Sequence, residues 1–119
     1  MSIPTPYISQ QPVDDFSLRF SNLLYSATLI VSTDTTLVVP SSASRFKVLI
    51  KIMEGARVWV ALNNIATVPA GNTFSQTNSE LINATPFCRE VRSGDVLHFI
   101  TTDPTQDVGV AFYGLGTNN

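Results

Sequence analysis

An all-β fold, an antiparallel two-sheet sandwich of jelly-roll-like form with an extended N-terminal arm, is predicted by three features of this sequence. Short β-prone runs follow one another from residue 16 onward, turn residues separate them at close intervals, and no segment carries a convincing helical apolar stripe. A chain of 119 residues suffices for one compact domain and not for two ordinary ones, so all functional groups share a single core. The expected organisation is an arm over residues 1–15, a sandwich over 16–115 and a flexible tail over 116–119.

Taken in order, residues 1–12 hold Pro4, Pro6 and Pro12 with three isolated apolar groups, Ile3, Tyr7 and Ile8. Proline fixes φ and removes a donor, which suits an extended arm with no ladder of its own. Fully extended, such an arm reaches roughly 40 Å, enough to lie across a neighbouring subunit; a frayed terminus is the alternative. Eight strand-like runs follow: FSLRF, SATLIV, TTLVV, RFKVLIKIM, ARVWVAL, FCREV, DVLHFIT and DVGVAFY. The breaks between them fall at residues 32–34, 40–44, 63–64, 68–80, 93–95 and 102–106, all rich in Gly, Pro, Asn, Asp, Ser or Thr. That many short strands in one domain imply two stacked antiparallel sheets.

RFKVLIKIMEGARVWVAL, residues 45–62, reads as a β-hairpin. A three-residue loop, Met53-Glu54-Gly55, puts Gly55 at the left-handed position, where the missing Cβ removes the steric penalty. Ile52 then faces Ala56, Ile50 faces Val58, Val48 faces Val60 and Phe46 faces Leu62, so one side is apolar throughout. A two-residue loop would set Ile52 against Arg57. The outer side carries Lys47, Leu49, Lys51, Arg57, Trp59 and Ala61, with Lys51 opposite Arg57. Lys47, Lys51, Arg57 and Trp59 are therefore candidate partner-binding residues, since interfaces concentrate aromatic anchors and Arg. The competing expectation is that the long segment 68–80 covers Trp59, with lysine stems over the ring.

Charge and composition restrict the function classes. Apolar residues make up 44% and charged residues only 13%, against ~25% charged in ordinary globular domains, which hints at surface covered by partners. A net charge of −2 gives no basic field for nucleic acid. There is no run of 18 apolar residues, so no membrane partner is expected, and MSIPTPYISQQP lacks the layout of a secretory signal, so synthesis in the cytoplasm is expected. Cys88 has no second cysteine to pair with in this sequence, which leaves only a disulfide between subunits open, and its expected place is as a small buried hydrophobe.

The one histidine, His98, lies in DVLHFIT, where alternation puts Asp95, Leu97 and Phe99 on one side and Val96, His98 and Ile100 on the other. Asp95 thus cannot orient His98, and no G-x-S-x-G nucleophile elbow is present. His98 reads as a strand residue, and no catalytic residue is expected. One Cys and one His fall short of a zinc site. Asp14-Asp15 and Asp103-Asp107 match no calcium loop and read as turn residues. The 68–80 segment has no phosphate-cradling glycine pattern, so neither metal nor cofactor is expected; its Gly, Asn, Ser and Thr form a hydrogen-bonding surface for a sugar or a protein, or a plain excursion between sheets.

Residues 35–115, through VPSSASRFKVLIK, ARVWVALN, VPAGNTF, and VRSGDVLHFI followed by VGVAFYGL, resemble the small structural proteins of tailed bacteriophages, including capsid decoration (cement) proteins. The resemblance is one of texture and carries no site residues over. It implies a non-enzymatic virion protein that binds the capsid surface, often as a homo-oligomer, with the major capsid protein or another virion protein as partner. Ile3, Tyr7 and Ile8 would then be arm anchors. Phage tail proteins share the texture, so the alternative is a receptor-binding or carbohydrate-binding module with Trp59 or Tyr113 as a stacking platform.

Overall fold

The computed structural model describes residues 20–85 and 87–115; Ile3, Tyr7 and Ile8, the rest of the arm and the tail lie outside them. Eight strands form: β1 (Leu24–Ile30), β2 (Thr35–Val38), β3 (Arg45–Ile52), β4 (Val58–Leu62), β5 (Ser79–Leu81), β6 (Phe87–Arg92), β7 (Val96–Thr101) and β8 (Thr105–Leu115). They make two four-stranded antiparallel sheets, the first ordered β1-β8-β3-β6 and the second β2-β7-β4-β5. Strands 1 and 8, 2 and 7, 3 and 6, and 4 and 5 are partners. The chain is thus one long hairpin rolled up until β3 meets β8 and β4 meets β7, which is the topology of a jelly roll.

Strand alternation builds the core. In β3, Phe46, Val48, Ile50 and Ile52 are buried while the residues between them face outward; in β7, Leu97, Phe99 and Thr101 are buried while Val96, His98 and Ile100 face outward. β8 contributes Val108, Val110 and Phe112, and β4 contributes Val58 and Val60. The Phe112 ring lies edge-on to Phe46 at 5.8 Å and to Tyr25 at 5.6 Å between centroids, the offset geometry that aromatic quadrupoles favour. Burying each such side chain contributes on the order of 1.5–3 kcal/mol. The space between the sheets is therefore filled by apolar groups, and most polar side chains are on the outer faces and loops.

Two sequence expectations need correction. The turn at Met53-Glu54-Gly55 forms as expected, with Gly55 at φ 84° and Ala56 N–H donating to Met53 O at 3.0 Å. The ladder beyond it does not. β3 pairs with β6 and β8, β4 with β5 and β7, so the two strands leave the turn into opposite sheets. The physical reason lies on the second sheet: Arg57 N–H donates to Asp103 Oδ2 (3.0 Å) and Arg57 O accepts from Thr101 Oγ1 (2.6 Å), drawing the start of β4 onto β7. Lys51 consequently faces Gly109 rather than Arg57, Leu62 is 45% exposed rather than core, and Ala61 is buried rather than outward and open. Cys88, expected inside, is exposed on the outer face of β6 opposite Leu49.

Candidate functional site

The proposed patch of Lys47, Lys51, Arg57 and Trp59 is not brought together. Lys47 and Lys51 stand on the outer face of the first sheet, opposite Tyr113 and Gly109 of β8. Trp59 stands on the outer face of the second sheet, between Ile100 and Leu81. Arg57 sits at the strand-crossing turn. These positions follow from the crossing of the β3–β4 connection between sheets, which puts alternate residues of the two strands on opposite outsides of the sandwich.

His98 has an acid partner that its own strand does not supply. Thr36, His98, Ala61 and Ser79 form a row across all four strands of the second sheet. His98 Nδ1 lies 2.8 Å from Asp34 Oδ2, and Asp34 Oδ1 accepts from Ala66 N–H at 2.9 Å. The imidazole and the carboxylate are 15% and 23% exposed. Because an ionised carboxylate only accepts, Nδ1 carries the proton in this pair. From Ala66 the chain continues to Thr67, whose N–H donates to Ser79 Oγ at 2.8 Å. Residues 65–67 therefore cross the row like a strap, which accounts for the burial of Ala61 and Ala66, both 2% exposed. Asp95, as expected, does not orient His98: its carboxylate accepts from Asn63 Nδ2 (3.2 Å) and Arg92 N–H (2.9 Å), closing the turn before β7.

Beyond the strap, residues 67–79 arch over the outer face of β4 and border an open cavity of about 850 Å³ with Trp59 on its floor. Its stem is closed by hydroxyls, with Thr67 Oγ1 3.3 Å from Thr77 Oγ1 and Ser79 Oγ donating to Asn78 Oδ1 at 2.7 Å. Phe74 projects from the arch and is fully exposed. The expectation that this segment covers Trp59 holds in part: it overarches the half-buried ring, whereas Lys47 and Lys51 are on the opposite sheet.

The four sheet edges differ in a way that bears on partners. Strand β6 carries Arg89, Glu90 and Arg92, and Arg89 pairs with Glu80 of β5, tying the two sheets together along that side. β2 and β5 are only four and three residues long. β1 is seven residues long, pairs with β8 without a bulge, and has no neighbour on its other side among the described residues. It contains no charge, proline or glycine, and residues 20–33 as a whole carry no charge. Leu24 and Ile30 are 61% and 59% exposed. Beside it, Tyr25, Ala27, Leu29, Leu37, Phe99 and Val110 line a cleft of about 160 Å³ where the sheets part.

Asp34, Phe74 and the β1 edge were not singled out by sequence reasoning. The uncharged run of 20–33 and the lone Phe in an otherwise polar loop were visible signals; the Asp34–His98 pair, 64 residues apart, left none.

No protein-family model matches the chain, and no curated protein matches it significantly. Among solved structures it is similar to RmlC from Streptococcus suis in complex with dTDP-D-xylose, at 16% identity and a TM-score of 0.49, over 91% of this chain and 56% of that one. The chain thus spans little more than half the length of that protein.

Proposed function

We propose that this chain is a non-enzymatic virion structural protein, a decoration-type subunit that binds a phage capsid surface through protein–protein contacts and self-association. The observation that carries the reading is the β1 edge, which nothing guards among the described residues. Exposed strand edges pair with other chains, and natural proteins blunt them with charge, proline, bulges or brevity. Here three edges are short or charged and the fourth is neither. An edge of this kind persists in a functional protein when a partner strand or surface covers it. Packing of the sandwich interior with apolar side chains agrees with a role exercised from the outside. The Asp34–His98 pair fits the same reading as a strap fastener, since the second carboxylate oxygen is spent on Ala66 N–H.

The test is to place a charge on the edge. Leu24→Lys and Ile30→Lys alter exposed side chains, whose replacement changes fold stability by only about 0.5 kcal/mol. The double variant is expected to lower the oligomeric state in light scattering and to weaken co-sedimentation with capsids assembled without the protein. A wild-type chain that is monomeric and binds such capsids no worse after both substitutions would overturn the assignment. Deleting residues 1–12 in parallel separates the arm from the edge.

A further inference from the structure

The arch over Trp59 has a lining chemistry that selects its occupant. A volume of about 850 Å³ lies within the range of small-molecule sites. No ionisable side chain lines it; the lining surface is mostly apolar, with Trp59 beneath and Val68, Pro69, Ala70 and Phe74 along the arch, and amides and hydroxyls supply the rest. The hydrogen bonds of the stem are used up in holding the loop, through Thr67, Thr77, Asn78 and Ser79. Higher on the arch, the side chains of Asn72, Thr73, Ser75 and Gln76 take no partner among the described residues. Donors and acceptors are thus unspent around an aromatic floor.

Each part of this chemistry narrows the ligand. An anionic ligand, a nucleotide included, calls for Arg, Lys or a ring of backbone donors, and the lining has no cation to supply. A cationic ligand calls for a carboxylate, which is also missing from the lining. A wholly apolar ligand would leave the amides and hydroxyls of the walls unsatisfied when it displaced their water. What suits both parts is a molecule with one apolar face and a rim of hydroxyls, neutral overall. We propose that this cavity binds a neutral oligosaccharide, one sugar ring lying on the Trp59 indole and its hydroxyls bonded to Asn72, Thr73, Ser75 and Gln76. Such binding would give the particle subunit a second, independent attachment, to a glycan surface, on the face away from Lys47 and Lys51.

Trp59 is the sole tryptophan of the chain, so its emission reports this cavity alone. The full-length protein is titrated with cellopentaose, maltopentaose, mannopentaose and N-acetylchitopentaose, and with a heparin-derived oligosaccharide as an anionic control. The expected result is a saturable change with at least one neutral sugar at a Kd of about 1 mM or tighter, and no stronger response to heparin. By calorimetry, the Asn72→Ala/Gln76→Ala double variant, which touches only exposed loop residues, is expected to weaken that sugar about tenfold. Trp59→Ala is expected to abolish binding and Trp59→Phe to retain part of it. Silence from all four neutral sugars, a response to heparin alone, or an emission change that follows protein concentration instead of sugar would overturn the proposal, the last by assigning the cavity to a second copy of the chain.

Discussion

Replacing Asp34 by Ala should unfasten the strap across the second sheet. The carboxylate accepts from His98 Nδ1–H at 2.8 Å and from Ala66 N–H at 2.9 Å, and hydrogen bonds to a charged group contribute about 1.5–3 kcal/mol each when buried. The two side chains of the pair retain 15% and 23% exposure, so water competes and the lower end of that range applies. Ala66, only 2% exposed, would keep a donor with no acceptor in reach. A total of about 3 kcal/mol follows, which for a domain of this size lowers Tm by roughly 12–24 °C. Scanning calorimetry measures the total, and amide hydrogen exchange at Ala66 measures the local part. His98→Ala removes one of the two bonds and should cost about half as much, leaving Ala66 protected. Asp34→Ala with Tm within about 2 °C of wild type and unchanged exchange at Ala66 would show that residues 65–67 are held by packing alone.

Two further outcomes test the core. Phe112→Ala removes the ring that meets both Phe46 and Tyr25, and urea denaturation should show a loss of about 3–5 kcal/mol; a loss below about 1.5 kcal/mol would mean that the surrounding side chains collapse into the space. Thr101 is fully buried, donates to Arg57 O at 2.6 Å and accepts from Asp103 N–H at 3.1 Å. Thr101→Val preserves shape while orphaning both groups, so a destabilisation of about 1–3 kcal/mol is expected in the same assay, together with weaker attachment of the crossing turn.

Seven of the eight strand-like runs read from the sequence coincide with strands, because alternation and turn residues are local properties. FSLRF lies outside the described residues but for Phe20, which is not in a strand. β5, SEL, is too short and too polar to rise above the loop that precedes it. Alternation also identified the inward residues of β3 correctly and divided β7 into the two faces that the structure shows. What it could not supply was the partner. Phe46 through Ile52 turn their apolar sides inward whether β4 lies beside β3 or across the core from it, and burial looks the same in both. The rolled hairpin favours the second arrangement through distant bonds such as Thr101 to Arg57, so the contact patch inferred from adjacency dissolved. His98 was rightly separated from Asp95, yet its true neighbour arrives through the β2–β7 pairing, a tertiary fact with no trace in spacing. Cys88 shows the converse limit: a residue type usually found inside stands outside, because the register of β6 on β3 aligns it with Leu49.

The pairing of the first strand with the last has a consequence for architecture. Leu24 lies beside Ala111, and Leu115 beside Arg45 at the head of β3. Whatever is joined before Phe20 or after Leu115 therefore departs from one pole of the sandwich, side by side. The opposite pole is made by residues 31–34, 53–57 and 102–104, and neither end of the described chain lies there, so a domain fused at Phe20 or Leu115 would start away from it.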